Sequence, residues 1–187
     1  INLMDIIPNT TAIILAGGQS SRMGQDKGLM ELSGRPMIQH IIETVSQLTS
    51  QIIIIANNSE YQQFGLPVYE DLTKEKGPLA GIVTGLSKSK TDLNWIISCD
   101  TPYVSVDLLS ELMFNLKVAD VVVPSKNDKI HPLIGTYHKS TLPIFQRELE
   151  LDHLKIMTVI GQLHVQIIDV NRFDVLNFKN LNSKEDI

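Results

Sequence analysis

The sequence predicts an α/β chain built on a mostly parallel sheet with helices on both faces. Three observations carry this. Short runs of β-branched and apolar residues recur along the chain, and in runs such as 52–56 the residues are apolar throughout rather than alternating. Strands buried on both faces read this way. Between the runs lie segments with apolar residues at helical spacing, the mark of a helix with one buried stripe. The two kinds of segment alternate, which is the order that β-α-β crossovers produce.

Each element has its own justification. Residues 11–16 form a buried strand that stops at Gly17 and Gly18. Residues 36–48 carry Met37, Ile38, Ile41, Ile42, Val45 and Leu48, a helical stripe, with Pro36 suited to a first turn. A second buried strand covers 51–56 and a short extended piece 67–69. A helix over 79–86 follows Gly77 and Pro78. The strand at 94–99 stops at Asp100, Thr101 and Pro102. A helix from Ser105 or Val106 to Leu116 has Asp107 in its first turn. Strands are expected at 120–124 and 133–137, helices at 141–149 and 155–163, and a last strand at 164–169. Sheets of this kind bind ligands beyond the carboxyl ends of their strands, where strand order reverses. The informative residues are therefore those just after each strand.

Composition narrows the function. A chain of 187 residues fits one domain at roughly 100–200 residues each, expected over 1–187 with its core at 11–187 and a flexible 1–10. Apolar residues make up 43% and charged residues 20%, which excludes a disordered or collagen-like chain. Sixteen basic against 21 acidic residues give a charge of −5, so no general affinity for nucleic acid or anionic membrane is expected. The longest apolar runs are about five residues, against the roughly 20 of a membrane helix. The first residues lack a basic segment followed by an apolar one, so no signal peptide is read there. The single cysteine, Cys99, fits a reducing, cytoplasmic setting. A monomer or weak oligomer is expected.

The segment from Gly17 to Lys27 concentrates chemistry. Two adjacent glycines let backbone amides approach an anion. Gln19, Ser20 and Ser21 add donors, and Arg22 and Lys27 add two cations. It reads as a triphosphate cradle or as a flexible glycine turn. It is not a Walker A loop, because Gln25 rather than Lys follows Gly24. Asp100, directly after a strand, is placed to hold Mg²⁺, which binds through one or two carboxylates plus substrate phosphates; it also suits a turn. Asp71 reads as a loop acid, or as a carboxylate that accepts the two adjacent donors on one edge of guanine, with the backbone of Gly77 to Gly81 close to the base. Asn57 and Asn58 suit a ribose or base contact, or a turn. Cys99 reads as a small buried hydrophobe. His131 has no neighbouring carboxylate in sequence and reads as structural or substrate-orienting. Asp169 reads as a turn residue or a second metal ligand. The histidines and the cysteine lack zinc-ligand spacing, and no G-x-S-x-G elbow surrounds Ser20 or Ser21.

The run Leu15, Ala16, Gly17, Gly18, Ser20, Arg22, Met23, Gly24, Asp26 and Lys27, continuing through Leu32, Gly34 and Pro36 to His40, resembles the signature of nucleotidyltransferase-like enzymes. Gly77-Pro78-Leu79-Ala80-Gly81, Cys99-Asp100-Thr101-Pro102-Tyr103, His131-Pro132 and the closing Asn180, Asn182, Ser183, Glu185 and Asp186 follow in order. Together they resemble the molybdenum cofactor guanylyltransferases from about residue 11 to the end. Gly17-Gly18 together with Gly77 to Gly81 favours guanine over cytosine.

The resemblance implies a three-layer α/β/α Rossmann-like nucleotidyltransferase fold with a mixed, mostly parallel central sheet. It implies transfer of GMP from GTP to the terminal phosphate of molybdenum-molybdopterin, giving the guanine dinucleotide cofactor and pyrophosphate, with Mg²⁺ as the metal. By position, Leu15, Ala16, Gly17, Gly18, Lys27, Asn57, Asp71 and Asp100 would hold GTP, and Asp100 the metal. Arg22, Lys27 and Asp100 would carry the catalysis. Either Asn57 or Ile55 occupies the family's nucleotide contact on the second strand. His131, Asn180 and Asn182 would face the pterin. Other cofactor-biosynthesis proteins and molybdoenzyme chaperones are the implied partners. The competing expectations are a related transferase using CTP on the pterin or an NTP on a sugar phosphate, and a non-catalytic GTP- or pterin-binding adaptor.

Overall fold

The computed structural model describes residues 6–16, 26–73 and 75–182. Its strands and helices run β1 Thr10–Leu15, β2 Glu31–Leu32, β3 Arg35–Pro36, α1 Met37–Val45, β4 Ile52–Ile55, β5 Val68–Tyr69, α2 Gly77–Lys88, β6 Leu93–Ser98, α3 Val106–Asn115, β7 Val121–Lys126, β8 Lys129–Ile130, β9 Ile134–His138, α4 Leu142–Glu150, α5 Ile156–Ile160 and β10 Val165–Asp169, with short 3-10 turns between several of them. Seven strands lie in the order β10-β7-β9-β6-β1-β4-β5, β8 pairs with β7, and β2 and β3 form a separate ribbon. Strand β9 is antiparallel to both neighbours, and β8 is antiparallel to β7. The other pairs in the large sheet are parallel. The sheet is thus mixed and mostly parallel, as the three-layer fold requires.

Period-two alternation along β1 divides the core. Ala12 and Ile14 join α1 and α3 on one face. Ile13 and Leu15 join α2, α4 and α5 on the other. The isoleucine run of β4 is buried along its whole length, which explains why it reads as apolar throughout. Trp95, fully buried on β6, donates its indole N–H to the Leu109 carbonyl at 2.9 Å and ties the sheet to α3.

Two glycines set how closely α2 meets the sheet. A Cβ on Gly85 would overlap Ile13 Cγ2, and one on Gly81 would lie 3.1 Å from Leu15 Cδ2. The two glycines are four residues apart, so they share one helix face, and α2 lies flush against β1.

Some boundaries differ from the sequence reading. Helix α1 ends at Val45, and residues 46–48 continue in tighter turns, with Gln47 N bonding Thr44 O and Leu48 N bonding Val45 O. Helix α5 has five residues, because Gly161 closes it and Gln162 turns back to Val159. Strands β2, β3 and β8 are two residues each, too short to leave a periodicity. The β2–β3 turn places Ser33 and Gly34 at φ 53° and 78°, the hairpin turn matched to strand twist. Near the N-terminus, Ile7 N–H donates to Leu48 O at 2.8 Å, and Thr10 opens β1, so the stretch expected to be flexible is pinned from Ile7 onward. Among the described residues, no helix is long and apolar enough to cross a membrane.

Candidate functional site

Strands β1, β4, β5 and β6 run parallel, so their carboxyl ends share one edge. Their register is locked there by Ala16 N to Ile55 O at 2.9 Å, Ala56 N to Tyr69 O at 3.0 Å and Cys99 N to Leu15 O at 3.0 Å. From β1 the chain crosses through α1 to β4 on one side, and from β5 through α2 to β6 on the other. The two crossovers lie on opposite faces, which makes the end of β1 the switch point where such sheets bind ligands. A cleft of roughly 760 Å³, open to solvent, lies at that point. It is lined by Leu15, Ala16, Asp26, Lys27, Ile55, Asp71, Gly77, Pro78, Gly81, Ser98, Cys99, Asp100 and Leu133.

Asp71 is held from two sides. Its backbone N–H donates to Asn57 Oδ1 at 3.1 Å, and its Oδ2 accepts from Asn57 Nδ2 at 3.3 Å. The following Leu72 N–H donates to Thr84 Oγ1 on α2 at 3.0 Å. Its other oxygen, Oδ1, is buried and has no hydrogen-bond partner among the described residues. Burial pushes the Asp71 carboxyl above its usual value, with the Asn57 hydrogen bond opposing. Ile55 lines the cleft, whereas Asn57 acts on Asp71. The two candidates for the second-strand position therefore do different things.

Asp100 follows β6 in a turn closed by Thr101, whose hydroxyl donates to Ser98 O at 2.9 Å. Asp100 Oδ1 is also buried with no partner among the described residues. A buried carboxylate oxygen without a partner is costly, and in a folded protein it asks for a missing ligand. An oxygen donor is what Mg²⁺ takes. No group of three or more His, Cys, Asp or Glu among the described residues could hold a metal by itself. The arrangement fits an ion held by one carboxylate and by substrate phosphates. Neighbouring Cys99 is buried, and that burial pushes its thiol well above the normal range, so it is no nucleophile.

Lys27 opens a 3-10 turn, Lys27–Leu29, capped by Asp26, whose Oδ1 accepts from Gly28 N at 3.3 Å. The same Oδ1 accepts a short hydrogen bond from Tyr61, a fully buried phenol whose hydroxyl also lies 3.3 Å from Ala16 O. Lys27 Nζ donates to Asn182 Oδ1 at 2.8 Å, 155 residues away. Leu181 N–H donates to Asp100 O at 2.9 Å. The C-terminal segment thus reaches both the lysine and the Asp100 turn.

Among the residues expected to bind nucleotide, Leu15, Ala16, Lys27, Asp71 and Asp100 line the cleft together. Asn57 stands behind Asp71. Gly17, Gly18 and Arg22 lie outside the described residues, as does Ser183. Of the residues expected on the pterin side, Asn182 meets Lys27. Asn180 is exposed. His131 packs against Phe178 with ring centroids 4.8 Å apart, and burial and then the Lys129 charge hold its imidazole below the usual value. Neither Asn180 nor His131 lines the cleft. Asp169 accepts from Asn171 N at 2.8 Å, which is its turn role. The Tyr61–Asp26 pair and the Asn57–Asp71 bridge escaped the sequence reading. The one available signal for Tyr61 was an aromatic which, with Phe64, interrupts a polar stretch just after β4.

Residues 12–166 match the MobA-like NTP transferase domain. The chain is 39% identical over 178 residues to a Flavobacterium johnsoniae protein named "Probable molybdenum cofactor guanylyltransferase", covering 95% of this chain and 94% of that one. It is 34% identical to the molybdenum cofactor guanylyltransferase of Vibrio cholerae, covering 96% and 90%. A crystal structure of an Aquifex aeolicus protein superposes with a TM-score of 0.80 at 26% identity, covering 93% and 94%. The molybdopterin-guanine dinucleotide biosynthesis protein A of Archaeoglobus fulgidus shares the fold with a TM-score of 0.79 at 23% identity, covering 94% of each chain.

Proposed function

The chain belongs to the MobA-like NTP transferase family, and from that premise we propose that it transfers GMP from GTP to the terminal phosphate of molybdenum-molybdopterin, releasing pyrophosphate. One observation supports this reading most strongly. Two buried carboxylate oxygens, Asp71 Oδ1 and Asp100 Oδ1, lack partners among the described residues and belong to residues of one cleft, which Lys27 also lines. A guanine nucleotide with its metal satisfies all three groups at once.

The Asp71 carboxylate, set by Asn57, accepts the N1–H and N2 amino donors of guanine. No other common base offers that donor pair to one carboxylate. Gly81, 3.7 Å from Asp71 Oδ1 at its Cβ position, leaves the space a base edge needs. Asp100 Oδ1 holds Mg²⁺, which supplies charge neutralisation among the phosphate oxygens. Lys27 stabilises charge on the transferred and leaving phosphates. Arg22, outside the described residues, is assigned the triphosphate as well. The acceptor is a phosphate monoester, already anionic near neutral pH, so it attacks the α-phosphorus in line without a strong general base. The chain's work is to align the two substrates and to oppose their repulsion. The lone cysteine suits a cytoplasmic enzyme.

Mass spectrometry of the pterin after incubation with the protein, Mg²⁺ and an equal mixture of GTP and CTP tests this. The expected product is the pterin carrying one added GMP. An unmodified pterin, or addition of CMP from CTP in preference, overturns the reading.

A further inference from the structure

We propose that Tyr61 is a positioning residue for the reaction: its buried hydroxyl clamps Asp26 to the end of β1 and thereby fixes where Lys27 stands in the cleft. The proposal rests on the reading of Lys27 as a phosphate contact.

Tyr61 comes from the 3-10 turn Ser59–Phe64 that follows β4, an element separate from the one that carries Lys27. Its ring is fully buried in the core cluster beneath α1 and α3. A buried phenol must find an acceptor, and this one has two at the cleft. Ala16 O lies at 3.3 Å, and Asp26 Oδ1 accepts a short bond. The hydroxyl has one proton, and the carboxylate is the stronger acceptor. Burial keeps the phenol protonated by pushing its ionisation far above the usual range, so it remains a donor.

Asp26 passes the constraint on. The oxygen that Tyr61 grips also caps the turn Lys27–Leu29 through Gly28 N. A Cβ on Gly28 would overlap the Tyr61 hydroxyl and lie 3.2 Å from Cε1 and Cζ, so the turn lies this close to the ring only because residue 28 is glycine. The lysine stem is therefore fixed at its root by Tyr61 through Asp26, and at its tip by Asn182. A cation already held in place loses little freedom when the phosphates arrive.

The test compares GTP with guanosine, which carries the base and ribose but no phosphates. Tyr61→Phe keeps the ring and removes the hydroxyl. Its KM for GTP is expected to rise by about tenfold, a change of about 1.4 kcal/mol, while inhibition by guanosine is unchanged. Combined with Lys27→Ala, Tyr61→Phe is expected to add nothing to the loss that Lys27→Ala causes alone. Gly28→Ala, which displaces the hydroxyl by sterics, gives the same selective loss and serves if Tyr61→Phe fails to fold. Equal weakening of GTP and guanosine, or full additivity with Lys27→Ala, overturns the positioning role alone. A Lys27→Ala protein that binds GTP like the wild type overturns the phosphate reading as well, which separates the two failures.

Discussion

At the scale of the residue, Asp71 and Asp100 are the informative pair. Burial disfavours the Asp71 charge, and its Oδ1 stays unpartnered among the described residues. The sign follows from this. A carboxyl whose folded pKa is raised binds its proton more tightly in the folded state, so its contribution to stability is present at low pH and is lost as the pH rises through that raised value. Asp71→Asn is therefore expected to raise the thermal unfolding midpoint of the ligand-free protein at neutral pH, while preference for GTP over ATP falls by at least about tenfold, since a hydrogen bond to a charged group contributes about 1.5–3 kcal/mol. Calorimetry and competition kinetics read the two effects. A lower midpoint with intact preference contradicts the assignment. In the wild type, GTP preference is expected to decline on acidification through the raised Asp71 pKa, which a pH profile of the GTP-to-ATP ratio checks. Asp100→Ala is expected to abolish Mg²⁺-dependent turnover in a metal titration, and near-normal turnover counts against its metal role. Lys27→Ala should lower GTP affinity by at least about tenfold, roughly 1.4 kcal/mol, measured by titration.

At the scale of the element, the carboxyl ends of four parallel strands set the cleft, and the glycine face of α2 brings its first turn to that edge. Gly85→Ala forces a Cβ into Ile13, and overpacking of this kind typically destabilises by about 1–3 kcal/mol. Urea unfolding is expected to show that loss. An unchanged midpoint means α2 is free to shift away from β1. The long elements were legible because burial stamps a pattern on them: β4 as an unbroken apolar run, β1 and β6 as runs with a continuous apolar centre, α1 and α3 as stripes. Lys27, Asp71 and Asp100, which follow β1, β5 and β6, were legible as chemistry because this sheet architecture exposes that edge. What stayed hidden is tertiary. Asn57 bonds Asp71, Tyr61 bonds Asp26, and Asn182 bonds Lys27. Each pair spans a gap in sequence that no local pattern records. The two-residue strands β2, β3 and β8 were hidden for the opposite reason, being too short to repeat.

At the scale of the whole molecule, the charge of −5 and the cleft have to be reconciled. Three aspartates, Asp26, Asp71 and Asp100, line the site that is proposed to receive a triphosphate, with Lys27 as the cation among the described lining residues. The nearby carboxylates repel phosphate unless a divalent ion intervenes, so turnover is expected to depend fully on divalent metal. The same cleft must admit two substrates, and its open side leaves the acceptor a route to the α-phosphorus. On the proposed function, this one cleft joins a guanine nucleotide to a phosphorylated pterin. Pyrophosphate release from each of the four nucleoside triphosphates, with and without molybdenum-molybdopterin in the presence of Mg²⁺, tests it most directly. Release is expected from GTP alone among the four, and only when the pterin is present. Release favouring another triphosphate, or tight GTP binding with no pterin-dependent release, would contradict it.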